Sequence, residues 1–336
     1  MKITSQTKIF IICPAGKSTG GPEALHQLCH KLRHVLGYDA RMVYIKKKFL
    51  RNSKPDVYSV YKTEKAKKII DNKENILIIP ESLTHYIYEY RNIQKVVWWL
   101  SVDFYAICMK NRQEKRFKFY FSKYIQGKKE VKEYLLEDLP DVYHWAQSYR
   151  SFLYLLDHGI AKEKIKRVCD YMNPLFLERT QRDASMEKKQ NIILYNPKKG
   201  REEIESIKEK CIDYQWIPIR GMTPEQVSDT MRKAKLYIDF GYNPGRDRML
   251  RESTLMKCII ISGKNGSSKY QEDLNIPEAY KFEYSRDIIP KIVTKIHEVI
   301  TNYERCISDF IQYSQETLEE EKNFEKQLET IFNYNN

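Results

Sequence analysis

The sequence lacks the features of a membrane-spanning or secreted protein. No apolar run approaches the roughly 18–20 residues that a transmembrane helix needs. The N-terminal segment lacks the apolar core and the small-residue cleavage site of a signal peptide, and the run from Ile9 to Pro14 predicts a buried strand instead. The seven cysteines are scattered without a CxxC pair, which argues against a disulfide framework. Reduced thiols and a cytoplasmic location are therefore the simplest expectation.

Residue patterns for metal binding are also missing. Histidine is sparse, at seven residues, and no HExxH or clustered His/Asp pattern occurs, so we predict no metal site built by the protein. The loop around Gly16-Lys17-Ser18 lacks the upstream glycine of a GxxxxGK(S/T) phosphate-binding loop, and it is not a GxGxxG motif either. No DxD-like motif stands at a predicted strand end, which removes a further route to a bound divalent metal.

The composition is strongly basic, with 58 Lys and Arg against 45 Asp and Glu and a net charge of +13. Such a surface attracts nucleic acid, an anionic membrane leaflet or phosphorylated substrates. Between Lys110 and Lys132 basic residues interleave with aromatic ones. This stretch is either a solvated face with core aromatics or a peripheral contact with an anionic membrane. No recognised nucleic-acid-binding motif is present, so nucleic-acid binding is a third hypothesis and we expect no such partner.

The order of predicted elements indicates an α/β protein with two doubly wound halves. Continuous apolar runs predict parallel strands that are buried on both faces. In the first half we predict strands at 8–13, 39–44, 76–80, 95–103, 143–148 and 167–171, and a helix at 22–36. In the second half we predict strands at 191–196, 215–219, 236–240, 258–262 and 280–282, helices at 202–211, 224–234 and 246–256, and mostly helix at 288–331. The predicted domains are 1–178 and 191–312, with a linker at 179–190 and a C-terminal helix at 313–336 that packs back on the first domain.

Three glycine-containing turns after apolar strands of the second half are the strongest functional signal. The carboxyl ends of parallel strands share one sheet edge, so we expect these turns to converge on a ligand. Lysines and two arginines in the first turn of a helix, Arg246 and Arg248, suit a diphosphate, and Asp247 would orient an arginine or cap the helix. Glu252 suits a ribose diol, although a surface pair with Arg248 explains the same spacing. The residues predicted to bind this ligand are Asn196, Lys198, Lys199, Gly200, Gly245, Arg246, Asp247, Arg248, Glu252, Gly266 and Ser267.

The first half offers a glycine loop and three candidate acid–base groups. Gly20 and Gly21 follow the first strand and precede a helix, where they let a ligand approach the backbone, although a turn without a ligand has the same sequence. Glu81, His85 and Asp103 follow predicted strands, where a carboxylate or imidazole can take a proton from an acceptor hydroxyl. Each of the three is more commonly structural than catalytic, and the sequence does not rank them.

These segments resemble those of GT-B-fold glycosyltransferases, close to the family 4-like group of bacterial surface-polysaccharide clusters. Gly20-Gly21-Pro22-Glu23 resembles the first glycine-rich loop of that fold, and Lys199-Gly200 resembles the Lys-Gly pair after the first strand of its donor domain. The stretch from Arg251 to Ile260 resembles the Glu-Ala-x-x-x-Gly-x-Pro-Val-Ile segment that binds the donor ribose. Two positions depart from the family pattern: Pro244 stands where the family has a first Glu, and Lys257 where it has Gly.

The resemblance implies two Rossmann-like domains that face a cleft and a metal-independent hexosyltransferase activity. It implies no cofactor beyond a UDP- or GDP-linked sugar donor, and a glycan or lipid-linked acceptor at the first domain. The expected setting is the synthesis of a bacterial surface polysaccharide such as a capsule, at the inner face of the cell membrane. Pro244 keeps a second hypothesis open: a GT-B relative without transferase activity, either epimerase-like or an inactive partner subunit.

Overall fold

A computed structural model describes residues 1–45, 54–114, 136, 141–182 and 188–332 of the 336-residue chain. The chain divides into two compact units, each built on its own parallel sheet. Unit 1 contains Met1–Asp170 together with Lys322–Asn336, and unit 2 contains Tyr171–Glu321. The predicted α/β class with two parallel sheets is confirmed.

Unit 1 is built on a six-stranded sheet. Its strands are β1 (Lys8–Pro14), β2 (Asp39–Ile45), β3 (Ile76–Pro80), β4 (Gln94–Trp99), β5 (Tyr143–Ala146) and β6 (Ile165–Arg167). They pair in the order β2-β1-β3-β4-β5-β6, and the described pairs are parallel. The helices of unit 1 are α1 (Gly20–His34), α2 (Val102–Glu114) and α3 (Tyr149–Asp157), with 3-10 helices at Asp56–Tyr61, Glu81–Glu89 and Lys162–Lys164. All five residues of β3 are buried, as the continuous apolar run predicts.

Unit 2 is built on a five-stranded sheet. Its strands are β7 (Gln190–Tyr195), β8 (Gln215–Pro218), β9 (Ala234–Asp239), β10 (Ile259–Gly263) and β11 (Lys281–Phe282), paired in the order β11-β10-β9-β7-β8. The helices are α4 (Pro174–Arg182), α5 (Arg201–Lys208), α6 (Pro224–Lys233), α7 (Arg248–Leu255), α8 (Ile289–Thr301), α9 (Tyr303–Cys306) and α10 (Ile311–Leu318). Short 3-10 helices lie at Ser267–Lys269, Glu278–Tyr280, Arg286–Ile288 and Ile307–Phe310. The predicted start of α6 is confirmed, since Thr223 caps the helix and Pro224 is its first residue.

The two sheets share one topology. In each sheet the first strand lies between the second and the third, so the order of winding reverses between β1 and β3 in unit 1 and between β7 and β9 in unit 2. Open α/β sheets bind ligands outside the carboxyl ends of the strands at such a reversal. The turns after β1, β3, β7 and β9 are therefore the places where function is expected.

A final helix, α11 (Glu320–Phe332), begins in unit 2 and continues into unit 1. The Phe324 ring stacks on Trp98 of β4 with centroids 6.2 Å apart, and the Tyr38 hydroxyl donates a hydrogen bond of 2.7 Å to the Phe332 carbonyl. The preceding helix α10 packs Tyr313 into the core of unit 2. The segment 313–336 is therefore divided between the units rather than belonging to one of them.

Several element boundaries differ from the prediction. The division between the units falls after Asp170 rather than after residue 178. Residues 179–182 of the predicted linker belong to α4, which forms because Phe176 packs into the core of unit 2, and Gln190 begins β7. The strand predicted at 95–103 ends at Trp99, and Val102 opens a helix.

No helix in the described ranges is long and apolar enough to cross a membrane. Helix α2 ends at Glu114, and residues 115–132 of the basic and aromatic stretch lie outside the described residues. The contact between Lys110–Lys132 and an anionic membrane therefore stays a prediction.

Candidate functional site

Three turns at the carboxyl edge of the unit 2 sheet pack directly against one another. A Cβ atom on Gly200 would lie 2.6 Å from the carbonyl carbon of Phe240, and one on Gly241 would lie 2.3 Å from Cβ of Lys199. A Cβ atom on Gly266 would lie 2.1 Å from the backbone oxygen of Asn243. Only glycine permits such close backbone contacts. The turns after β7, β9 and β10 therefore meet, as the parallel sheet requires.

The ammonium group of Lys199, in the turn after β7, contacts residues at the end of β9 and in the turn that follows it. It forms an ion pair with Asp247, donates a hydrogen bond of 2.6 Å to Oδ1 of Asn243, and lies 3.8 Å from Oδ2 of Asp239. We call these four residues the Lys199 cluster. Burial disfavours the charge of Lys199, but Asp247 and then Asp239 outweigh burial and raise the pKa of Lys199 above its usual value. The site therefore holds a permanent cation at the reversal between β7 and β9.

Asp247 has two roles in this arrangement. Its Oδ1 accepts hydrogen bonds from the backbone N–H groups of Met249 at 2.9 Å and Leu250 at 3.4 Å, so the predicted cap of the helix is present. Its other oxygen binds Lys199 rather than an arginine. The N–H groups of Met249 and Leu250 are therefore occupied by the capping carboxylate and are not open to a diphosphate.

The two arginines predicted for the first turn of this helix occupy different positions. Arg246 precedes the cap, and its Nη2 donates a hydrogen bond of 2.6 Å to Oε1 of Glu320. Glu320 also accepts a hydrogen bond of 2.8 Å from Nη1 of Arg251, which is fully buried. Of the predicted pair, Arg248 alone stands in the first turn of α7. The two arginines therefore do not share one helical turn, and Arg246 neutralises a buried glutamate, which argues against the expected clamp.

Glu252 lies one turn after the start of α7. It is partly buried. After burial, the charges of Asp239, Asp247 and Glu252 raise the pKa of the Tyr237 phenol well above its usual value. The Tyr237 phenol therefore lies within electrostatic range of Glu252 and of both carboxylates of the Lys199 cluster.

The remaining predicted residues surround the same turns. Asn196 accepts a hydrogen bond of 3.0 Å from the Lys198 N–H, which shapes the turn after β7, and the Lys198 side chain is exposed. Gly245 is partly buried before α7. The Ser267 N–H donates a hydrogen bond of 2.7 Å to the Asn243 carbonyl. This N–H is therefore committed within the protein and is not open to a phosphate.

In unit 1, the reversal between β1 and β3 brings together Glu81 and the start of α1. Gly20 opens that helix, and a Cβ on Gly21 would make an ordinary contact of 3.6 Å with Cδ1 of Leu100. Oε2 of Glu81 accepts a hydrogen bond of 3.1 Å from the Leu100 N–H. Burial raises the pKa of Glu81 to about 8, against the opposing effect of hydrogen bonds from its own N–H and that of Leu100. Glu81 is therefore mostly a neutral acid at pH 7.

The other two acid–base candidates have different surroundings. His85 lies on the same 3-10 helix as Glu81, is buried, and packs against the Tyr86 ring with centroids 4.5 Å apart. Asp103 binds both terminal nitrogens of Arg150, with Nη2 at 2.7 Å from Oδ1. This bidentate ion pair commits both carboxylate oxygens of Asp103 to Arg150.

Comparison with solved structures supports this description of the fold. HepE from Anabaena, in complex with UDP-glucose, matches at a TM-score of 0.62 and 10% identity, over 96% of this chain and 99% of HepE. The lipopolysaccharide outer core galactosyltransferase WaaB, in its apo form, matches at a TM-score of 0.58 and 15% identity, over 97% of this chain and 100% of WaaB. Sucrose-phosphate synthase from Thermosynechococcus elongatus matches at a TM-score of 0.58 and 11% identity, over 97% of this chain and 98% of the synthase. No protein-family model and no curated protein sequence matches the chain.

The chain has the GT-B fold of these glycosyltransferases. The matches span nearly all of each protein, so both units take part in the likeness. At such low identity the likeness establishes the fold and leaves the reaction to be argued from the site. The predicted fold class is confirmed at this level.

Two members of the Lys199 cluster were not predicted from the sequence. Asn243 is fully buried and joins Lys199 to the turn after β10, because its Nδ2 donates a hydrogen bond of 2.8 Å to Oγ of Ser268. Asp239 ends β9, and an acid that closes a largely apolar strand was a usable signal for it. No comparable signal marked Asn243, which lies within a polar turn. Among the residues that the structure describes, no group of three or more His, Cys, Asp or Glu could hold a metal ion.

Proposed function

We propose that this chain is a glycosyltransferase that moves a sugar from a nucleotide-sugar donor, UDP- or GDP-linked, to a glycan or lipid-linked acceptor. The observation that carries the proposal is the position of Lys199: a charged lysine in the turn after β7, held by residues at the end of β9 and in the turn after it, at the topological reversal of the second sheet. This is where α/β sheets bind nucleotides. The GT-B fold supports the same conclusion, since HepE has been crystallised with UDP-glucose.

In this proposal, Lys199 stabilises the negative charge that develops on the departing diphosphate. An ammonium group has three N–H donors, and two of them meet Asn243 and Asp247, so a third can reach a phosphate oxygen. Lys198 and Arg248 border the site and add positive charge. Glu252 accepts hydrogen bonds from the ribose hydroxyls. Cationic side chains then take the place of a divalent metal, and the reaction needs no cofactor other than the donor.

The acceptor would bind unit 1 at the reversal between β1 and β3. Of the three acid–base candidates there, Glu81 is largely protonated at pH 7 and Asp103 is committed to Arg150. His85 is therefore the best candidate to take the acceptor's proton. The setting would be bacterial surface-polysaccharide synthesis at the inner face of the membrane, a role supported by the likeness to the lipopolysaccharide galactosyltransferase WaaB.

Pro244 favours a second candidate, a GT-B relative without transferase activity. It stands where the resembling family has its first Glu. Asp247, the nearest acid that could replace that Glu, is engaged by the helix cap and by Lys199. An epimerase-like enzyme or an inactive partner subunit would still bind the nucleotide.

Two measurements separate these candidates. Calorimetry with UDP, GDP and CMP tests the site, and we expect a diphosphate to bind more tightly than the monophosphate CMP. Transfer and hydrolysis assays with a panel of nucleotide-sugars then test the reaction, and sugar release in the presence of a chelator is expected. Nucleotide binding without any turnover would favour the second candidate, and absence of nucleotide binding would reject both.

A further inference from the structure

Asp239 is the least satisfied carboxyl group of the Lys199 cluster. Its Oδ1 accepts a hydrogen bond of 2.8 Å from the Gly241 N–H. Its Oδ2 is buried without a hydrogen-bond partner among the described residues and lies 3.8 Å from the Lys199 ammonium. The side chain has no exposed surface. Burying an ionised carboxylate costs free energy unless the charge is well paired, so burial favours the protonated form of Asp239.

Several charged and titratable groups face Asp239. Lys199 faces it from the turn after β7, Asp247 from the turn before α7, and the Tyr237 phenol from β9 itself. Glu252 of α7 adds a further negative charge on this side. Ser262, the partner of Asp239 on β10, is uncharged. With Asp239 and Asp247 both ionised, two carboxylates would surround one ammonium, which opposes the arrival of a dianionic diphosphate.

We propose that Asp239 is a positioning residue that sets the charge of the donor site by binding a proton when a nucleotide diphosphate arrives. This inference rests on the proposed function. Protonation leaves Lys199 with one carboxylate partner, Asp247, and makes the net charge of the cluster neutral. The proton is taken up from solvent, and no bond of the donor is broken in this step.

The acid–base properties of Asp239 agree with this role. Burial, followed by the nearby Asp247 charge, raises the pKa of Asp239 to about 7, while Lys199, the Gly241 N–H and the Tyr237 hydroxyl oppose the rise. An incoming negative charge raises it further, and by linkage the donor binds more tightly when Asp239 is protonated. Donor affinity should therefore fall as the pH rises through about 7.

The test is calorimetric titration of the full chain with UDP-glucose, and with GDP-mannose if UDP-glucose does not bind. Between pH 6 and 8 the diphosphate of these donors does not change its charge. We expect the affinity of the unmodified protein to fall roughly three- to tenfold over this range, the effect of one nearby charge at a partly exposed site. Titrations in buffers of different ionisation enthalpy should show proton uptake on binding.

Asp239→Asn should remove both the fall in affinity and the proton uptake, because Asn keeps an acceptor for the Gly241 N–H and cannot ionise. Asp273→Asn is the matched control, since Asp273 is a buried carboxyl of unit 2 outside the Lys199 cluster. The control should keep the behaviour of the unmodified protein. Donor binding with the same pH slope and proton uptake in Asp239→Asn would overturn the inference and leave the proposed function standing. No binding of either donor at any pH would instead reject the proposed function and the inference with it.

A second measurement covers the case in which Asp239→Asn does not fold. Carboxyl carbon NMR of the unmodified protein follows the titration of Asp239 with and without UDP-glucose or GDP-mannose. An upward shift of its pKa when the donor is bound supports the inference. An unchanged titration in the presence of a bound donor overturns it.

Discussion

At the scale of residues, Lys199 and its neighbour Lys198 provide a matched pair. Lys199→Met should weaken the affinity for UDP or GDP by about 1.5–3 kcal/mol, the contribution of a hydrogen bond to a charged group. The loss should be larger at high pH, where Asp239 and Asp247 remain without a cation. Lys198→Met removes an exposed lysine two positions after Asn196 and should change affinity much less. Calorimetry measures both, and a larger loss in Lys198→Met than in Lys199→Met would contradict our assignment.

Glycine positions allow a second residue-scale prediction. Gly266 and Gly221 have nearly the same φ, +64° and +65°, but a Cβ on Gly266 would collide with the Asn243 backbone and one on Gly221 would meet open space. Gly221→Ala should cost about 1–2 kcal/mol of unfolding free energy from its left-handed backbone. Gly266→Ala should cost about 1–3 kcal/mol more because of the collision and because its ψ of −129° lies outside the left-handed helical region, and it should also weaken nucleotide binding.

Urea unfolding measures the loss of stability in each variant, and calorimetry shows which of them also weakens nucleotide binding. Equal stability losses, with nucleotide affinity unchanged in both, would show that the contact between the turns after β9 and β10 does not shape the site.

Which site residues could be predicted follows from where their partners lie. Lys199 and Asp247 follow strands of one parallel sheet, so the sheet rule alone places them at one edge. Arg246 has the same kind of local signal, yet its partner Glu320 lies 74 residues away. Asp103 likewise meets Arg150, 47 residues later. A local pattern cannot say whether a charge will face a ligand or a distant residue of opposite charge.

At the scale of elements, the start of α11 is tied to the turn before α7 by Glu320. This buried glutamate binds Arg246 and Arg251, and Arg251 has no exposed surface. Glu320→Gln keeps the volume but leaves buried cations without a counter-charge, which should destabilise unit 2 by about 3–5 kcal/mol. Glu319→Gln, on the exposed neighbour, is the control and should change stability little. Hydrogen exchange of the α7 amides measures the loss of stability. Equal protection of these amides in the two variants would show that the ion pairs contribute little to the stability of unit 2.

Strands were easier to predict than the segments between them. Buried parallel strands are short apolar runs, so β3 and β9 could be located within two residues at either end. The run at 95–103 misled the prediction because Trp98, Trp99 and Val102 are all apolar although the backbone turns from strand to helix between them. Helix α4 was missed because its polar, charged sequence is typical of a linker, and packing of Phe176 in unit 2 overrides that tendency.

At the scale of the whole molecule, unit 1 depends on residues that follow unit 2 in the sequence. Phe324 is fully buried against Trp98, so Phe324→Ala should destabilise unit 1 by about 3–5 kcal/mol. Leu318→Ala removes a partly exposed side chain just before this helix and serves as the control. Hydrogen exchange should show that β4 and β5 lose protection while β9 and β10 keep it. A uniform loss across both sheets would contradict the division into two units.

This arrangement has a consequence for synthesis on the ribosome. Domains generally fold as their residues emerge, and all residues of unit 2 emerge before Phe324 and Phe332 do. We expect the packing of the N-terminal sheet to stay incomplete, with one face of Trp98 uncovered, until α11 has been translated. Unit 1 is then synthesised first but completes its folding last. A chaperone would bind the exposed apolar surface of the nascent N-terminal half.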